Sequence, residues 1–136
     1  VTGATGPTGS SGLFVIVIVV ATHDPIGDDS TRYLVPGSGR QEASPEDAGT
    51  PLAVGGTIGN LHVRQTTMGT DPATFTLYKN GSPTTVACTM NSTETSCSNG
   101  TDEVDVAAGD LVTLEVDAGD LSDPHIHASF SITGSN

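Results

Sequence analysis

The chain contains no tryptophan, a single lysine and only 4% aromatic residues. Four basic residues stand against sixteen acidic ones, giving a formal charge of −12. A surface of that sign repels nucleic acid and anionic lipid, and no basic run or aromatic-interleaved stripe counters it, so nucleic acid is not expected as a partner. Strong acidity is compatible with life in high salt, with cation binding or simply with solubility, the last being the default. The longest apolar run, Leu13 to Ala21, is roughly half of what a bilayer crossing needs. It also lacks a basic flank and a cleavage site, so neither membrane insertion nor a signal peptide is expected. Hydrolase signatures are missing: no Gly-x-Ser-x-Gly elbow, no His-Glu-x-x-His and no phosphate-binding glycine loop ahead of a helix. No catalytic residue is singled out among the acids, and no enzyme is expected.

What is present reads as β structure. The 136 residues amount to one domain, rich in Gly, Thr, Ser and Asp, with no stretch carrying the 3.6-residue apolar stripe of a helix. THDPIGDDST is a polar loop, TRYLVP a short strand, and PGSGRQEASPEDAGTP a surface excursion. Then TIGNLHVRQT, TFTLYKNGSPTTVACT, EVDVAAGDLVTLEVD and HIHASFSIT alternate apolar and polar residues between turns. Asn80-Gly81 between two alternating runs predicts a type I′ hairpin. Phe75, Leu77, Val86 and Cys88 are expected to face inward, as are Val112, Leu114 and Val116, with Thr113 and Glu115 outside. The spacing predicts an all-β jelly-roll sandwich of about eight to ten antiparallel strands.

The N-terminal end is different. Gly3, Gly6, Gly9 and Gly12 recur at every third position, the Gly-X-Y period that lets three polyproline-II chains pack around one axis. Residues 1–12 are therefore a short collagen-like segment or a flexible linker of the same spacing, and residues 13–136 the jelly-roll domain. The segment runs straight into LFVIVIVVA, a strand apolar on both faces: Val15, Val17 and Val19 point one way, Phe14, Ile16, Ile18 and Val20 the other. One face can pack on the domain's own core. The other needs a second cover, either neighbouring chains or, if the strand is central, the same subunit.

Cys88 and Cys97, the only cysteines, are close enough in sequence to bridge the two sides of a hairpin. Such a disulfide favours an extracellular address, against the alternative of two reduced thiols. DAGDLSDPHIH gathers Asp117, Asp120, Asp123, His125 and His127. The carboxylates are oxygen ligands of the kind calcium takes, without EF-hand spacing, and the alternative is a solvated acidic turn. His125 and His127 share one face of a strand whose opposite face is Ile126, Ala128, Phe130 and Ile132, so the imidazoles are candidate ligands for a transition metal or plain polar surface. No cofactor is required by either reading. Sequons begin at Asn80, Asn91 and Asn99.

The collagen-like tract running into an apolar strand, the TLYKNGS hairpin, the VAAGDLVTLEV strand and the apolar terminal strand together resemble the collagen-tailed trimeric jelly rolls of the complement-subcomponent and tumour-necrosis-factor superfamily. The GATGPTG triplets are similar to those of bacterial collagen-like surface proteins such as exosporium glycoproteins. The resemblance implies a homotrimer whose first and last strands meet near a threefold axis, with Leu13, Phe14, Val15, Ile16, Val17, Ile18, His125 and His127 at the subunit interface. It also makes Thr5 and Thr8 glycosylation candidates. The scarcity of aromatics departs from that family, whose interfaces stack aromatic rings. The expected role is structural: an extracellular head that trimerises and caps or nucleates a rod on a cell, spore or virion surface. The alternatives are an adhesin head that binds a receptor or glycan through the Gly37–Thr50 and Asp117–Asp123 loops, and a filament subunit joined through its N-terminal segment.

Overall fold

The computed structural model describes residues 3, 13–22, 26, 31–67, 71–118 and 125–135. Ten strands and one short helix follow in order: β1 Leu13–Ala21, β2 Thr31–Leu34, β3 Gln41–Glu42, α1 Pro45–Ala48, β4 Thr50–Pro51, β5 Gly56–Gln65, β6 Ala73–Lys79, β7 Ser82–Met90, β8 Ser96–Val106, β9 Leu111–Asp117 and β10 Ile126–Ser135. They form two antiparallel sheets. Sheet A has the order β1-β10-β5-β8, and sheet B the order β3-β2-β9-β6-β7 with β4 also on β9. The late strands β10 and β9 are thus inserted between early ones, an interleaving that fits a jelly roll.

Alternation in the sequence sets which side chains fill the space between the sheets. Phe75, Leu77, Val86, Val112, Leu114 and Val116 of sheet B are fully buried. They meet Ile58, Leu61, Val63, Ile126, Phe130 and Ile132 of sheet A in one apolar cluster. Asn80 (φ 50°) and Gly81 (φ 80°) both take the left-handed conformation in the β6–β7 turn, with Lys79 paired to Ser82 across it. That is the two-residue hairpin expected of Asn-Gly.

Two local expectations change. Thr113 is buried, at 2% exposure, because α1 packs against β9; its hydroxyl donates to the Leu34 carbonyl at 2.8 Å. The excursion after Pro36 also carries structure of its own. Ser44 caps α1 by accepting from the Asp47 amide, Pro45 stands in the first turn with Glu46 and Asp47, and Ala48 is buried. Serine, proline and two acids in that order form a helix start.

β1 and β10 are joined along nine consecutive register pairs, from Leu13↔Ser135 to Ala21↔His127. At the far end Thr22 closes the pairing: its amide donates to the Ile126 carbonyl at 3.0 Å, and its hydroxyl accepts from the Ile126 amide at 2.9 Å. First and last strands are therefore neighbours, with β1 at the edge of sheet A.

Candidate functional site

The edge position of β1 decides what its two faces can do. Val20 is buried, and Phe14 and Ile18 pack against the core. Leu13 is 82% exposed, and Val15, Val17 and Val19 are each 63–64% exposed. Of the two covers open to the second face of this strand, the described residues of the chain's own subunit do not supply one. The stripe continues around the edge into an apolar groove of about 350 Å³, between Ile16–Val19 on one side and Pro36 and Pro51–Val54 on the other. Four exposed branched side chains beside an apolar groove make a patch that soluble monomers rarely leave open.

Beside the stripe, the outer face of sheet A turns polar in rows fixed by the register. Val15, Val17 and Val19 lie opposite Thr133, Ser131 and Ser129 of β10. Those small hydroxyl side chains leave the valines standing proud of their neighbours. Further along, His127 lies opposite Arg64, and Ser129 opposite His62. At the other end of the sheet Asp105 pairs with Thr57, and its carboxylate accepts from the Thr57 hydroxyl at 3.2 Å.

Phe14, Val15, Ile16, Val17 and Ile18 thus lie together on β1 with Leu13, while His127, exposed, begins β10's outer face in line with Ser129, Ser131 and Thr133. His125 is half-buried just before β10; its amide donates to the Thr66 hydroxyl at 3.1 Å, and its carbonyl accepts from the Thr66 amide at 3.2 Å. Ile126, Ala128, Phe130 and Ile132 are buried on the opposite face. Asp117 is exposed at the end of β9, across from Thr31 and Thr74. Asp120 and Asp123 lie outside the described residues, as do Gly6, Gly9, Gly12, Thr5 and Thr8; Gly3 is exposed. Among the described residues no group of three or more His, Cys, Asp or Glu side chains is placed to hold a metal.

Cys88 and Cys97 form a disulfide with Cα atoms 5.8 Å apart. It does not staple a hairpin. β7 belongs to sheet B and β8 to sheet A, so the bond joins the two sheets at the edge opposite β1. Asn99 reinforces that edge by donating to the Ala87 carbonyl at 2.9 Å. The sequons at Asn80 and Asn99 are both engaged: Asn80 Nδ2 donates to Asp110 and Asn99 Nδ2 to Asp102.

Both tyrosines of the chain meet on the outer face of sheet B. Tyr33 and Tyr78 pack edge to face with ring centroids 5.3 Å apart, and the Tyr33 hydroxyl donates to Glu115 at 3.1 Å. The Glu115 carboxylate and burial push the Tyr78 hydroxyl well above the usual phenol range. Burial, then Glu115, raises Tyr33. The Gly37–Thr50 loop nearby carries an Arg40–Glu42 ion pair.

Sequence reasoning missed Arg64 and the groove wall at Pro51–Val54. Arg64 was visible as the outward partner of His62 in LHVRQ, but its position opposite His127 depends on β5–β10 pairing, which no local pattern encodes. No helix among the described residues is long and apolar enough to cross a membrane. Comparison with protein-family models gives no match, and comparison with curated proteins gives none either.

Proposed function

We propose that this domain is the self-assembling head of an extracellular structural protein, a homotrimer that caps or nucleates a collagen-like rod. The observation that carries the reading is the uncovered valine stripe: Leu13, Val15, Val17 and Val19 stand exposed on the strand that directly follows the Gly-X-Y tract. Three chains leaving a common rod would begin their heads at this strand, so the cover that it lacks is another copy of itself. Transfer of each valine from water into such an interface contributes about 1 kcal/mol or more. The pairing of β1 with β10 supports the same geometry, because both termini of the domain then lie at one edge. The disulfide fits an oxidising, extracellular setting.

The edge position of β1 gives the filament reading a foothold too, since an open strand edge accepts a partner strand. The two differ in whether assembly closes. The rod-capping role is tested by extending residues 1–12 with further Gly-Pro-Thr triplets, with and without residues 13–136. Triple-helical circular dichroism that refolds several-fold faster with the head attached supports nucleation. Equal refolding with and without it would contradict the role.

A further inference from the structure

We infer that His62, Arg64 and His127, on the outer face of sheet A, form a binding site for a sugar that carries a single carboxylate. The inference is independent of assembly and goes beyond it.

The site is a local exception to the charge of the whole chain. Of four basic residues, Arg40 is paired with Glu42 and Lys79 with Asp110. Arg32 and Arg64 have no hydrogen bond or ion pair among the described residues; Arg32 stands opposite Val116, whereas Arg64 is one of a group. It lies directly across from His127 on β10 and on the same face of β5 as His62, whose Nε2 is hydrogen-bonded to Asn60 Oδ1 at 3.2 Å. Directly opposed side chains on paired strands have Cβ atoms about 5 Å apart, and alternate residues on one strand are roughly 7 Å apart. One carboxylate can therefore meet the guanidinium and an imidazole together, with the planar fork of arginine suited to take both oxygens.

The surroundings define the rest of the ligand. Arg64 and His127 line a groove of about 450 Å³ together with Gln65, Thr66 and Thr95. An adjoining depression is walled by His62, Ser96 and Ser98. These volumes suit a mono- or disaccharide, and their hydroxyl groups offer partners of the kind that sugar hydroxyls use. Gln65 is 6% exposed; its Nε2 donates to the Glu94 carbonyl at 3.2 Å, and its buried Oε1 accepts from no described group. A formal charge of −12 opposes polyanions, so one acidic group is what a single unpaired arginine can hold.

The test is a heteronuclear NMR titration of the folded chain at constant ionic strength with glucuronate, with glucose as neutral twin and acetate as bare anion. Saturable shifts at residues 62–66, 95–98 and 127–129 with glucuronate, and none with glucose, are expected. Acetate should bind roughly tenfold or more weakly. Arg64→Gln should weaken glucuronate roughly tenfold or more, while Arg40→Gln should leave it unchanged; both variants are checked for a wild-type melting temperature. A glucuronate-capped disaccharide that binds at least as tightly points to glycan ends as the source, and one that fails to bind points to the free sugar acid. Acetate equal to glucuronate would reduce the site to an adventitious ion only and overturn the proposal. So would unchanged affinity in Arg64→Gln, or no shifts up to about 20 mM glucuronate, above the range of a specific weak site.

Discussion

Phe14 on the first strand lies opposite Gly134 on the last, and a Cβ added at Gly134 would come 2.5 Å from the edge of the Phe14 ring. Only glycine leaves room for the ring here, so this one contact helps hold β1 in register and with it the whole valine stripe. Gly134→Ala should destabilise the fold by about 1–3 kcal/mol through overcrowding. In the Phe14→Leu background the same substitution should cost distinctly less. Denaturant unfolding of the double-mutant cycle measures the coupling, and additive effects would show that the ring and the glycine do not constrain each other.

The Cys88–Cys97 bridge ties the sheets together at the edge away from β1. It joins residues 9 positions apart in sequence, for which chain entropy gives about 2–3 kcal/mol. Cys88→Ser/Cys97→Ser should lower unfolding free energy by that amount while leaving the exposure of Val17 unchanged. Urea titrations with and without reductant read the difference.

Asp110 gives the fold an acid-sensitive lock between two turns. Its carboxylate accepts from the Ala107 amide at 2.8 Å and from the Asn80 side chain at 3.0 Å, with Lys79 nearby at 3.7 Å. The Ala107 amide first, then Asn80 and Lys79, hold its carboxyl below the usual range. The folded state thus favours the ionised form. That stabilisation is complete above the ordinary aspartate range and is lost as pH falls through the depressed value. Asp110→Asn should flatten this part of the acid limb, as measured by unfolding free energy from pH 6 down to 2.

At the other end of the scale, the Tyr78 hydroxyl is held neutral by Glu115 and burial. A raised phenol contributes stability that is complete below its unfolded value, about 10, and is lost as pH rises toward the folded one. Tyr78→Phe should make unfolding free energy less steep between pH 9 and 11. An unchanged slope would show that the hydroxyl does not feel Glu115.

The strands were legible because period-two alternation and Asn80-Gly81 act locally. Phe75, Leu77, Val112, Leu114 and Val116 are buried as that alternation requires. The two-faced apolar run also spoke for itself: a strand with valines on both sides needs two covers, and the fold provides one. Contacts set by pairing were not legible. Thr113 is outward by parity yet buried, since α1 packs on β9. Cys88 and Cys97 are near in sequence but stand on different sheets, because β7 and β8 diverge at the sandwich edge. Arg64 meets His127 only through the register of β5 with β10, although each residue is separated from the other by half the chain.

The central claim is that the exposed face of β1 is covered by other copies of the same chain. The most direct measurement is the molar mass of the disulfide-bonded protein by light scattering, for the wild type and for Val17→Asp. Val17 is 63% exposed, so the charge should leave the fold intact. The account predicts three chain masses for the wild type and one for the variant, with the same melting curve shape. A wild-type mass of one chain would contradict it, and a mass that keeps growing with concentration would replace the closed trimer by an open filament.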